Sequence, residues 1–399
     1  MSFYLVPSIL SKFDINDFRL DVIKTTDLEP SQLGILNTSL REYLTSIKRE
    51  IHNNDTQWDN YKKIVNPYEY LHTPIVSEKK QSVCKYKPLS RSYFKMIEIT
   101  KMLDLLDNYE SKPINSFHLC EGPGGFIEAL VGMRDNEQDT YTGMTLISDT
   151  EHIPGWKKSK DFLSKHRNVK IETGHDNTGD IFTPANFALC AEKYANSMDI
   201  ITADGGFDFS VDFNMQEYNA LNLILCQVLY ALVMQKKGGH FILKVFDIFS
   251  AASLDICYLL SSFYGEVYIV KPNTSRYANS ERYIVCKNFK MDSTREFVGK
   301  FYASLTILHN SELSIKRFIR FSIPYYFMTK VEEINAIFGQ QQIETINNTL
   351  TLINMIYPAV KQEKVEYYKR NNITKCVNWC IKYKVPYNKV LTTTGNIFQ

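Results

Sequence analysis

The chain has 399 residues, which is long for one compact domain and short for three, so we expect a core domain with additions. Apolar residues make up 44% and charged residues 23%, which excludes a disordered or fibrous chain. The formal net charge of +2 combines a net −1 in residues 1–80, a net −4 in residues 81–292 and a net +7 in residues 293–399. A nucleic-acid partner is therefore not excluded, because the cationic residues concentrate near the C-terminus.

Eight cysteines are spread through the chain without a Cys-X-X-Cys pair, so we expect reduced, mostly buried thiols in an intracellular protein. The first residues lack a basic stretch followed by a long apolar one, so no secretory signal is predicted. The longest apolar segment, Leu221 to Met234, contains Asn222 and Gln227 and is shorter than the roughly 20 residues of a membrane span. We therefore expect no membrane partner.

The predicted elements divide the chain into three parts. Residues 1–80 are polar, with a helical pattern around Gln32–His52, and predict a mostly helical N-terminal extension. From about residue 113, short apolar and β-branched runs alternate with turns and helical stretches, as in a parallel sheet with crossover helices. Seven strands are predicted at Ser116–Cys120, Tyr141–Ile147, Val169–Glu172, Met198–Ala203, Gly239–Phe246, Glu266–Val270 and Tyr283–Lys287.

The last two predicted strands are joined only by the short segment Lys271–Arg282, so an antiparallel final pair is expected. A dinucleotide-binding sheet is wholly parallel, whereas an added antiparallel strand is typical of methyltransferases that use S-adenosylmethionine (SAM). Residues 293–399 predict a basic helical extension. Its helices are expected at Asn310–Arg320, Val331–Phe338 and Gln362–Lys384.

A glycine-rich turn follows the first predicted strand and runs into a helical start, in the sequence Cys120-Glu121-Gly122-Pro123-Gly124-Gly125-Phe126. Glycines let a ligand approach the backbone closely, and the following helix N-terminus offers unpaired N–H groups. The GxGG spacing differs from the GxGxxG that binds a pyrophosphate, which favours a cofactor without phosphates over NAD. A purely structural glycine turn is the alternative.

Two charged residues stand out in the predicted sheet. Asp204 ends the fourth strand and precedes two glycines, at the edge where open α/β sheets bind ligands. Lys244 lies in the apolar fifth strand, where a buried amine is costly unless it is paired or used in catalysis. The alternative for Lys244 is an amine that extends to solvent from the strand end. Lys95, on a helix before the first strand, and Glu281, before the last strand, indicate only surface charges when taken singly.

Taken together and in order, Lys95, Asp204, Lys244 and Glu281 resemble the K-D-K-E set of the FtsJ/RrmJ-type ribose 2′-O-methyltransferases. The resemblance extends over about residues 85–290 and is stronger to the eukaryotic cap-specific mRNA (nucleoside-2′-O-)-methyltransferases than to the bacterial rRNA enzymes. Further stretches that carry it are Gly143–Leu146, Gly179–Ile181, Ala203–Phe207, Gly238–Ile242, Ser275–Arg276 and Asn279–Tyr283. Because 399 residues leave no space for the accessory modules of the animal enzymes, we expect a minimal viral or protist form, similar to the FtsJ-like enzymes of large cytoplasmic DNA viruses. Of the two sources, we predict a viral protein.

The fold class that the resemblance implies is α/β: a Rossmann-like SAM-dependent methyltransferase sheet of seven strands, the last one antiparallel. This domain is expected at residues 81–292, between helical extensions at 1–80 and 293–399. The implied reaction is SAM-dependent methylation of the ribose 2′-hydroxyl of capped mRNA at the first transcribed nucleotide (cap 1 formation). A methyltransferase for rRNA or tRNA and a catalytically silent RNA-binding subunit are the alternatives.

The resemblance also implies roles for single residues. The four K-D-K-E residues are expected to be catalytic, with Lys244 as general base or proton-steering group and with its pKa lowered by Lys95. The residues expected to contact SAM are Gly122, Gly124, Gly125, Phe126, Asp180 and Asp204. No metal is expected, because the histidines His118, His175 and His240 have no paired spacing.

The segment Lys361–Val390 contains eight basic and two acidic residues, interleaved with five aromatic ones. We interpret it as part of an RNA-binding surface, since RNA affinity needs cations for phosphates and aromatic faces for bases; a basic solvated helix is the alternative. Arg276 is another candidate phosphate ligand. The implied partners are capped mRNA and other capping or transcription proteins. The implied location is cytoplasmic, in a viral factory or virion for a viral source, with the nucleus as the alternative for a cellular one.

Overall fold

The computed structural model describes residues 2–27, 36–75, 81–148, 150, 153–206 and 214–389. Its strands are β1 (Ser2–Leu5), β2 (Phe18–Lys24), β3 (Asn115–Leu119), β4 (Thr140–Met144), β5 (Val169–Glu172), β6 (Met198–Ala203), β7 (Gln235–Val245), β8 (Tyr264–Lys271), β9 (Arg282–Phe289) and β10 (Leu313–Ile319). Its α-helices are α1 (Thr38–His52), α2 (Asp55–Val65), α3 (Ser92–Met102), α4 (Gly125–Arg134), α5 (Lys160–Lys165), α6 (Pro184–Lys193), α7 (Gln216–Met234), α8 (Ala251–Phe263), α9 (Arg295–Leu308), α10 (Tyr325–Ile353) and α11 (Pro358–Tyr383).

Eight strands form one sheet in the order β1-β8-β9-β7-β6-β3-β4-β5. The strands from β5 to β7 in this order are parallel, whereas β9 is inserted between β7 and β8 and runs antiparallel to both. The α/β class, the seven strands and the antiparallel last strand are thereby confirmed. The chain order reverses between β3 and β6, and open α/β sheets bind ligands at the carboxyl ends of the strands beside such a reversal.

Helices cover both faces of the sheet. One apolar core joins the sheet to α6, α7, α8 and α9, and a second joins it to α3, α4 and α11. Side chains alternate along β7: Phe241 and Leu243 pack in the first core and Ile242 in the second. Lys244 therefore emerges on the face covered by α3.

Helix α7 is the one described helix that is long and apolar enough to cross a membrane, judged by length and composition alone. Of its apolar window, 89% is buried inside the protein. Its burial is that of a core helix, because it packs between β7, α6 and α8.

The two extensions contain strands that the sequence patterns did not predict. Strand β1 pairs antiparallel with β8 at the edge of the large sheet, and β2 pairs antiparallel with β10 in a separate two-stranded sheet. The helix predicted at Asn310–Arg320 is wrong, since this segment forms β10. Its apolar residues are buried against β2, α7 and α8, so a partner strand from the other end of the chain decides its structure. The helices predicted at Val331–Phe338 and Gln362–Lys384 are confirmed within α10 and α11.

Candidate active site

The four residues of the K-D-K-E set meet at the carboxyl edge of the sheet. Asp204 follows β6 directly, and Lys244 is the penultimate residue of β7. Glu281 immediately precedes β9, whose antiparallel direction brings its start beside the end of β7. Lys95 lies in the first turn of α3, on the face of the sheet from which Lys244 emerges.

Two ion pairs with small exposed fractions form the centre of this edge. The Nζ atom of Lys95 lies 2.7 Å from Oε1 of Glu281, and the two side chains are 13% and 14% exposed. The Nζ atom of Lys244 lies 3.3 Å from Oδ1 of Asp204 and donates a hydrogen bond of 2.7 Å to the main-chain oxygen of the same residue. Both amines therefore have a carboxylate partner.

Tyr283, which the sequence analysis quoted but assigned no role, connects the two pairs. Its hydroxyl donates a hydrogen bond of 2.9 Å to Oδ1 of Asp204. Its ring centroid lies 5.8 Å from Nζ of Lys95, and it is directly opposite Lys244 in the register of β7 and β9. The four charged groups and this phenol thus form one contiguous cluster.

The carboxylates determine the charge of the cluster. Burial by itself lowers the pKa of Lys244, but Asp204 and Glu281 outweigh it and the net shift is upward. The predicted lowering of this pKa by Lys95 is therefore wrong, because each amine is balanced by a nearby carboxylate. Burial by itself raises the pKa of Glu281, but Lys95 and Lys244 hold it well below its usual range. The site therefore holds an ammonium group at Lys244 and a carboxylate at Glu281.

The glycine turn between β3 and α4 leaves no space for side chains. A Cβ atom on Gly122 would lie 2.7 Å from the main-chain oxygen of Gly155, and one on Gly125 would overlap the hydroxyl oxygens of Ser90 and Ser92. Gly124 has φ of +103° and caps the N-terminus of α4. These close contacts with neighbouring protein atoms, and the positive φ of Gly124, favour residues without a Cβ atom throughout this turn.

Phe126 is placed differently from the glycines before it. Its side chain is fully buried, and its ring centroid lies 6.0 Å from that of Tyr283. Its N–H donates a hydrogen bond of 2.6 Å to Oε1 of Glu121. Both the ring and the N–H of Phe126 are thus engaged within the protein.

Glu121 is a further candidate for contact with SAM that the sequence analysis did not assign. Its Oε2 atom is buried and has no hydrogen-bond partner among the described residues. Burial, followed by the charge of Asp204, raises the pKa of Glu121 well above its usual range. An unpartnered carboxyl oxygen beside a glycine turn fits a cationic amino group, such as that of the methionine part of SAM. The available signal is an acidic residue directly before the first glycine of the turn.

Asp180 lies between β5 and α6, and its Oδ1 atom accepts a hydrogen bond of 2.9 Å from the N–H of Phe182. Burial is the main cause that raises the pKa of Cys120, the residue directly after β3, to about 12. The charged groups that also act on Cys120 are Lys244, Asp180, Glu121 and Asp204. Asp180 therefore belongs to the same edge as the ion pairs. Phe207, the last residue of the stretch Ala203–Phe207, lies outside the described residues.

Helix α3 holds the loop that carries Glu281 at two points. Lys95 binds the carboxylate, and Glu98, one turn further along, accepts hydrogen bonds from the N–H groups of Asn273 at 2.9 Å and Thr274 at 3.1 Å. Glu98 is fully buried. This role of Glu98 was not predicted, because a glutamate in an amphipathic helix carries no local sign of such a contact.

Glu69 holds the same loop from residues that precede α3. It is fully buried and lies 2.7 Å from the guanidinium groups of both Arg276 and Arg91. Burial by itself raises the pKa of Glu69, but the two arginines hold it well below its usual range. Arg276, predicted to contact a phosphate, is therefore already paired, with 31% of its side chain exposed.

The histidines, and the two cysteines Cys376 and Cys380 of α11, do not belong to the charged cluster. His118 is fully buried between the hydroxyls of Ser116 and Thr202, and burial lowers its pKa to about 3. Burial likewise lowers the pKa of His240 to about 4. Cys376 and Cys380 are both fully buried. Within the described ranges, no group of three or more His, Cys, Asp or Glu residues is arranged to hold a metal ion.

A parallel sheet with one antiparallel strand inserted beside its last parallel strand, a glycine turn after its first central strand and a charged cluster at its carboxyl edge define the class of SAM-dependent methyltransferases. The profile described as FtsJ-like methyltransferase matches residues 88–289. This match covers half of the chain, and the chain belongs to the FtsJ-like methyltransferase family.

Two relatives of the chain are cap-specific mRNA methyltransferases. The chain is 30% identical to cap-specific mRNA (nucleoside-2′-O-)-methyltransferase 2 of Pongo abelii, over 76% of this chain and 39% of that protein. It is 36% identical to cap-specific mRNA (nucleoside-2′-O-)-methyltransferase 1 of Mus musculus, over 49% of this chain and 24% of that protein. The chain thus spans less than half the length of these relatives. Both are animal proteins, and the viral source stays a prediction.

A solved structure described as a ribosomal RNA methyltransferase from Plasmodium falciparum is also similar, with a TM-score of 0.36 and 19% identity. The likeness covers 50% of this chain and 98% of that chain. At this score it adds nothing to the argument about function.

Proposed function

We propose that the chain transfers a methyl group from SAM to the ribose 2′-hydroxyl of capped mRNA, at the first transcribed nucleotide. The observation that carries this proposal is the cluster of two lysine–carboxylate pairs, Lys95–Glu281 and Lys244–Asp204, at the carboxyl edge beside the glycine turn. The similarity to cap-specific enzymes supports capped mRNA over rRNA or tRNA as the substrate. The K-D-K-E cluster and the glycine turn together favour an enzyme over a silent RNA-binding subunit.

A 2′-hydroxyl is a weak nucleophile, so the site must orient it and remove its proton. SAM, when bound, supplies a methyl group on a positively charged sulfur atom. Lys244, protonated in the resting site, donates a hydrogen bond to the hydroxyl oxygen and directs a lone pair toward the methyl group. To accept the hydroxyl proton, Lys244 first passes one of its own to the carboxylate of Asp204, 3.3 Å away. Lys95 and Glu281 hold the hydroxyl from the other side. The reaction as proposed uses no metal.

The residues that would hold SAM follow the edge of the sheet. We propose that the backbone of Gly122, Gly124 and Gly125 lies against its methionine part, with Oε2 of Glu121 toward the amino group. Asp180 would contact the adenosine. Asp204 lies between this region and the lysines, because it bonds to both Lys244 and Tyr283. Phe126 would act by packing behind the turn.

Two neighbouring cavities offer space for nucleotides at the same edge. The smaller, of about 200 Å³, is lined by Trp58, Arg276 and Ser280, the residue directly before Glu281. The larger, of about 560 Å³, is lined by Arg49 of α1, and both cavities are lined by Lys48. Lys48 is paired with Asp247 at 2.9 Å, which leaves Arg49 as the candidate phosphate contact of the larger cavity. We propose that the smaller cavity holds a base of the substrate and the larger one the adjoining sugar-phosphate chain.

An exposed cationic edge of α11 supports contact with the rest of the transcript. Lys364, Lys375 and Lys382 follow at intervals of 11 and 7 residues, which places them along one side of the helix over about 27 Å. No ion pair joins these three to a carboxylate of the described residues. Tyr367 beside them is 61% exposed and offers a ring for a base. Lys369, in contrast, is paired with Glu366 at 3.4 Å.

The test compares short RNAs of one sequence that differ only at the 5′ end: capped, triphosphorylated, and capped with a 2′-O-methyl group already on the first nucleotide. With labelled SAM we expect methyl transfer to the first RNA alone, mapped to the first ribose. Equal transfer to the triphosphorylated RNA would overturn the cap-specific substrate. Transfer to none of them, or to rRNA or tRNA instead, would overturn the proposed reaction or its substrate respectively. Protein partners, the cytoplasmic location and domain boundaries at residues 80 and 292 stay predictions.

A further inference from the structure

Lys271, the last residue of β8, carries a buried amine that the proposed reaction does not use. The residue is 4% exposed. Its Nζ atom donates hydrogen bonds to the main-chain oxygens of Asn279 and Glu281, both at 2.6 Å, and to Oδ1 of Asn279 at 2.9 Å. All three acceptors belong to the loop that carries Glu281, so the amine ties the start of this loop to its end.

The number of acceptors determines the protonation state that the contacts require. An ammonium group has three N–H donors and satisfies three oxygens, whereas a neutral amine has two and leaves one oxygen unpaired. An oxygen left without a donor inside the fold is destabilising, so the loop is best held by the protonated form of Lys271.

One lysine binds the main chain of Glu281 and another binds its side chain. Lys271 binds its main-chain oxygen, and Lys95 binds its carboxylate at 2.7 Å. The hydroxyl of Ser275 donates a further hydrogen bond of 2.8 Å to Oε1 of Glu281. A displacement of the main chain at residue 281 would therefore move the carboxylate away from Lys95.

We propose that Lys271 is a positioning residue for methyl transfer, which fixes the carboxylate of Glu281 against Lys95 by holding the main chain of the loop. The inference rests on the proposed function, because it assigns Lys271 to the same site. Lys271 does not touch the reacting atoms and acts only through Glu281.

The charged groups that face Lys271 predict a dependence on pH. They are Glu281 on its own loop, Arg282 on β9, Asp247 after β7 and Lys95 on α3. Burial is the main cause that lowers the pKa of Lys271 to about 7, and the carboxylate of Glu281 opposes this shift. Lys271 therefore loses its third N–H donor as the solution becomes mildly alkaline, and kcat is expected to fall there.

The experiment compares Lys271→Met and Lys271→Arg with a matched control, Lys290→Met. Lys290 also has an amine with its pKa lowered by burial and donates to main-chain oxygens, at Ile9 and Ser261, but it follows the far end of β9. The measurements are kcat and KM for capped RNA from pH 6 to 9.5, SAM affinity by calorimetry, and the melting temperature.

For Lys271→Met we expect kcat to fall about 10- to 100-fold, with SAM affinity within about twofold of the original, since misplacement by about 1 Å costs about 100-fold. Lys271→Arg keeps the charge and is expected to recover part of kcat and to lose the alkaline decline. Lys290→Met is expected to lower the melting temperature without changing kcat.

An unchanged kcat in Lys271→Met, or an alkaline decline that persists in Lys271→Arg, would overturn the inference while leaving the proposed function intact. An original protein that methylates none of the RNAs would overturn the proposed function instead. Should Lys271→Met fail to fold, Asn279→Ala removes one acceptor and leaves the lysine in place. The alkaline decline of kcat is then expected at lower pH, and an unshifted decline would contradict the proposed role.

Discussion

The two ion pairs of the site are built in different ways. Asp204 and Lys244 extend from the ends of two adjacent parallel strands, β6 and β7, whose main-chain hydrogen bonds fix their separation. Lys95 and Glu281 come from a helix and a loop, which no strand pairing joins. Their geometry depends on three side chains that bind the loop through hydrogen bonds or an ion pair, namely Glu98, Glu69 and Lys271.

This difference separates a rigid half of the site from one that can be adjusted. A strand pair is held by many backbone bonds, so a single substitution hardly moves it. A loop held by a few buried charges moves when one of them is lost, because an unpaired buried charge is costly. Tyr283 contacts both halves, through its hydroxyl and through its ring.

The largest effect is expected in the rigid half. Lys244→Met should lower kcat by about 100- to 10,000-fold, because it removes the group that we propose to handle the proton and leaves β7 in place. Initial rates at saturating SAM and capped RNA measure this, and calorimetry should show SAM binding retained. The control is Lys236→Met at the opposite end of β7, which removes a partly exposed lysine paired with Asp199. Activity above a tenth of the original would contradict the assignment.

The pair in the adjustable half is tested by a double-mutant cycle. Lys95→Met and Glu281→Gln should each lower kcat by about 10- to 1,000-fold. If the two residues act as a unit, the kcat of the double variant should be no lower than that of the less active single variant. The same cycle on the exposed pair Lys237–Asp292 should show no coupling and little effect. Additive effects at Lys95 and Glu281 would mean that the two residues act separately.

The glycine turn offers a test of SAM affinity. Gly125→Ala should weaken SAM binding about tenfold or more, because its Cβ atom overlaps Ser90 and Ser92 and displaces the turn. Gly132→Ala is the matched control on the same helix, where a Cβ atom meets nothing within 4 Å. It should leave affinity unchanged and stabilise the protein by about 1 kcal/mol. Equal SAM affinities for the two variants would exclude the turn as the binding surface.

Glu98→Gln probes one of the groups that hold the loop. An amide nitrogen cannot accept the hydrogen bonds that Asn273 and Thr274 donate, so the loop should loosen and kcat should fall about tenfold. SAM affinity should not change. Glu110→Gln, at an exposed position, is the control. A loss of activity that follows only the melting temperature would mean that Glu98 stabilises the fold without positioning the loop.

The smallest effect is expected at α11. Replacing Lys364, Lys375 and Lys382 by Ser should weaken binding of a long capped RNA and reduce the salt dependence of the affinity by about 2 in the log–log slope. Rates on a very short capped RNA should stay unchanged. Serine at three other exposed lysines, Lys112, Lys165 and Lys316, controls for net charge. The same slope in both triple variants would favour a solvated helix, or one that binds protein, over RNA contact.

The two halves also differ in how far the sequence predicted them. Asp204 and Lys244 stand out locally, because a charge within or after an apolar strand is costly without a use. Lys95 and Glu281 are ordinary surface charges by local pattern, and only the ordered resemblance singled them out. Glu98, Lys271 and the role of Tyr283 were missed, since their partners are far away in the sequence or in another element.

The sequence by itself determined the α/β class, the seven main strands and the glycine turn. These features depend on the pattern of apolar residues and on the positions of glycines, both of which are local properties of the sequence. Tertiary structure decided that residues 313–319 form a strand, since β2 from the other end of the chain covers them. It also decided the charges of the cluster: carboxylates on neighbouring elements raise the pKa of Lys244 against the effect of burial. Such shifts depend on distances between groups that only folding brings together.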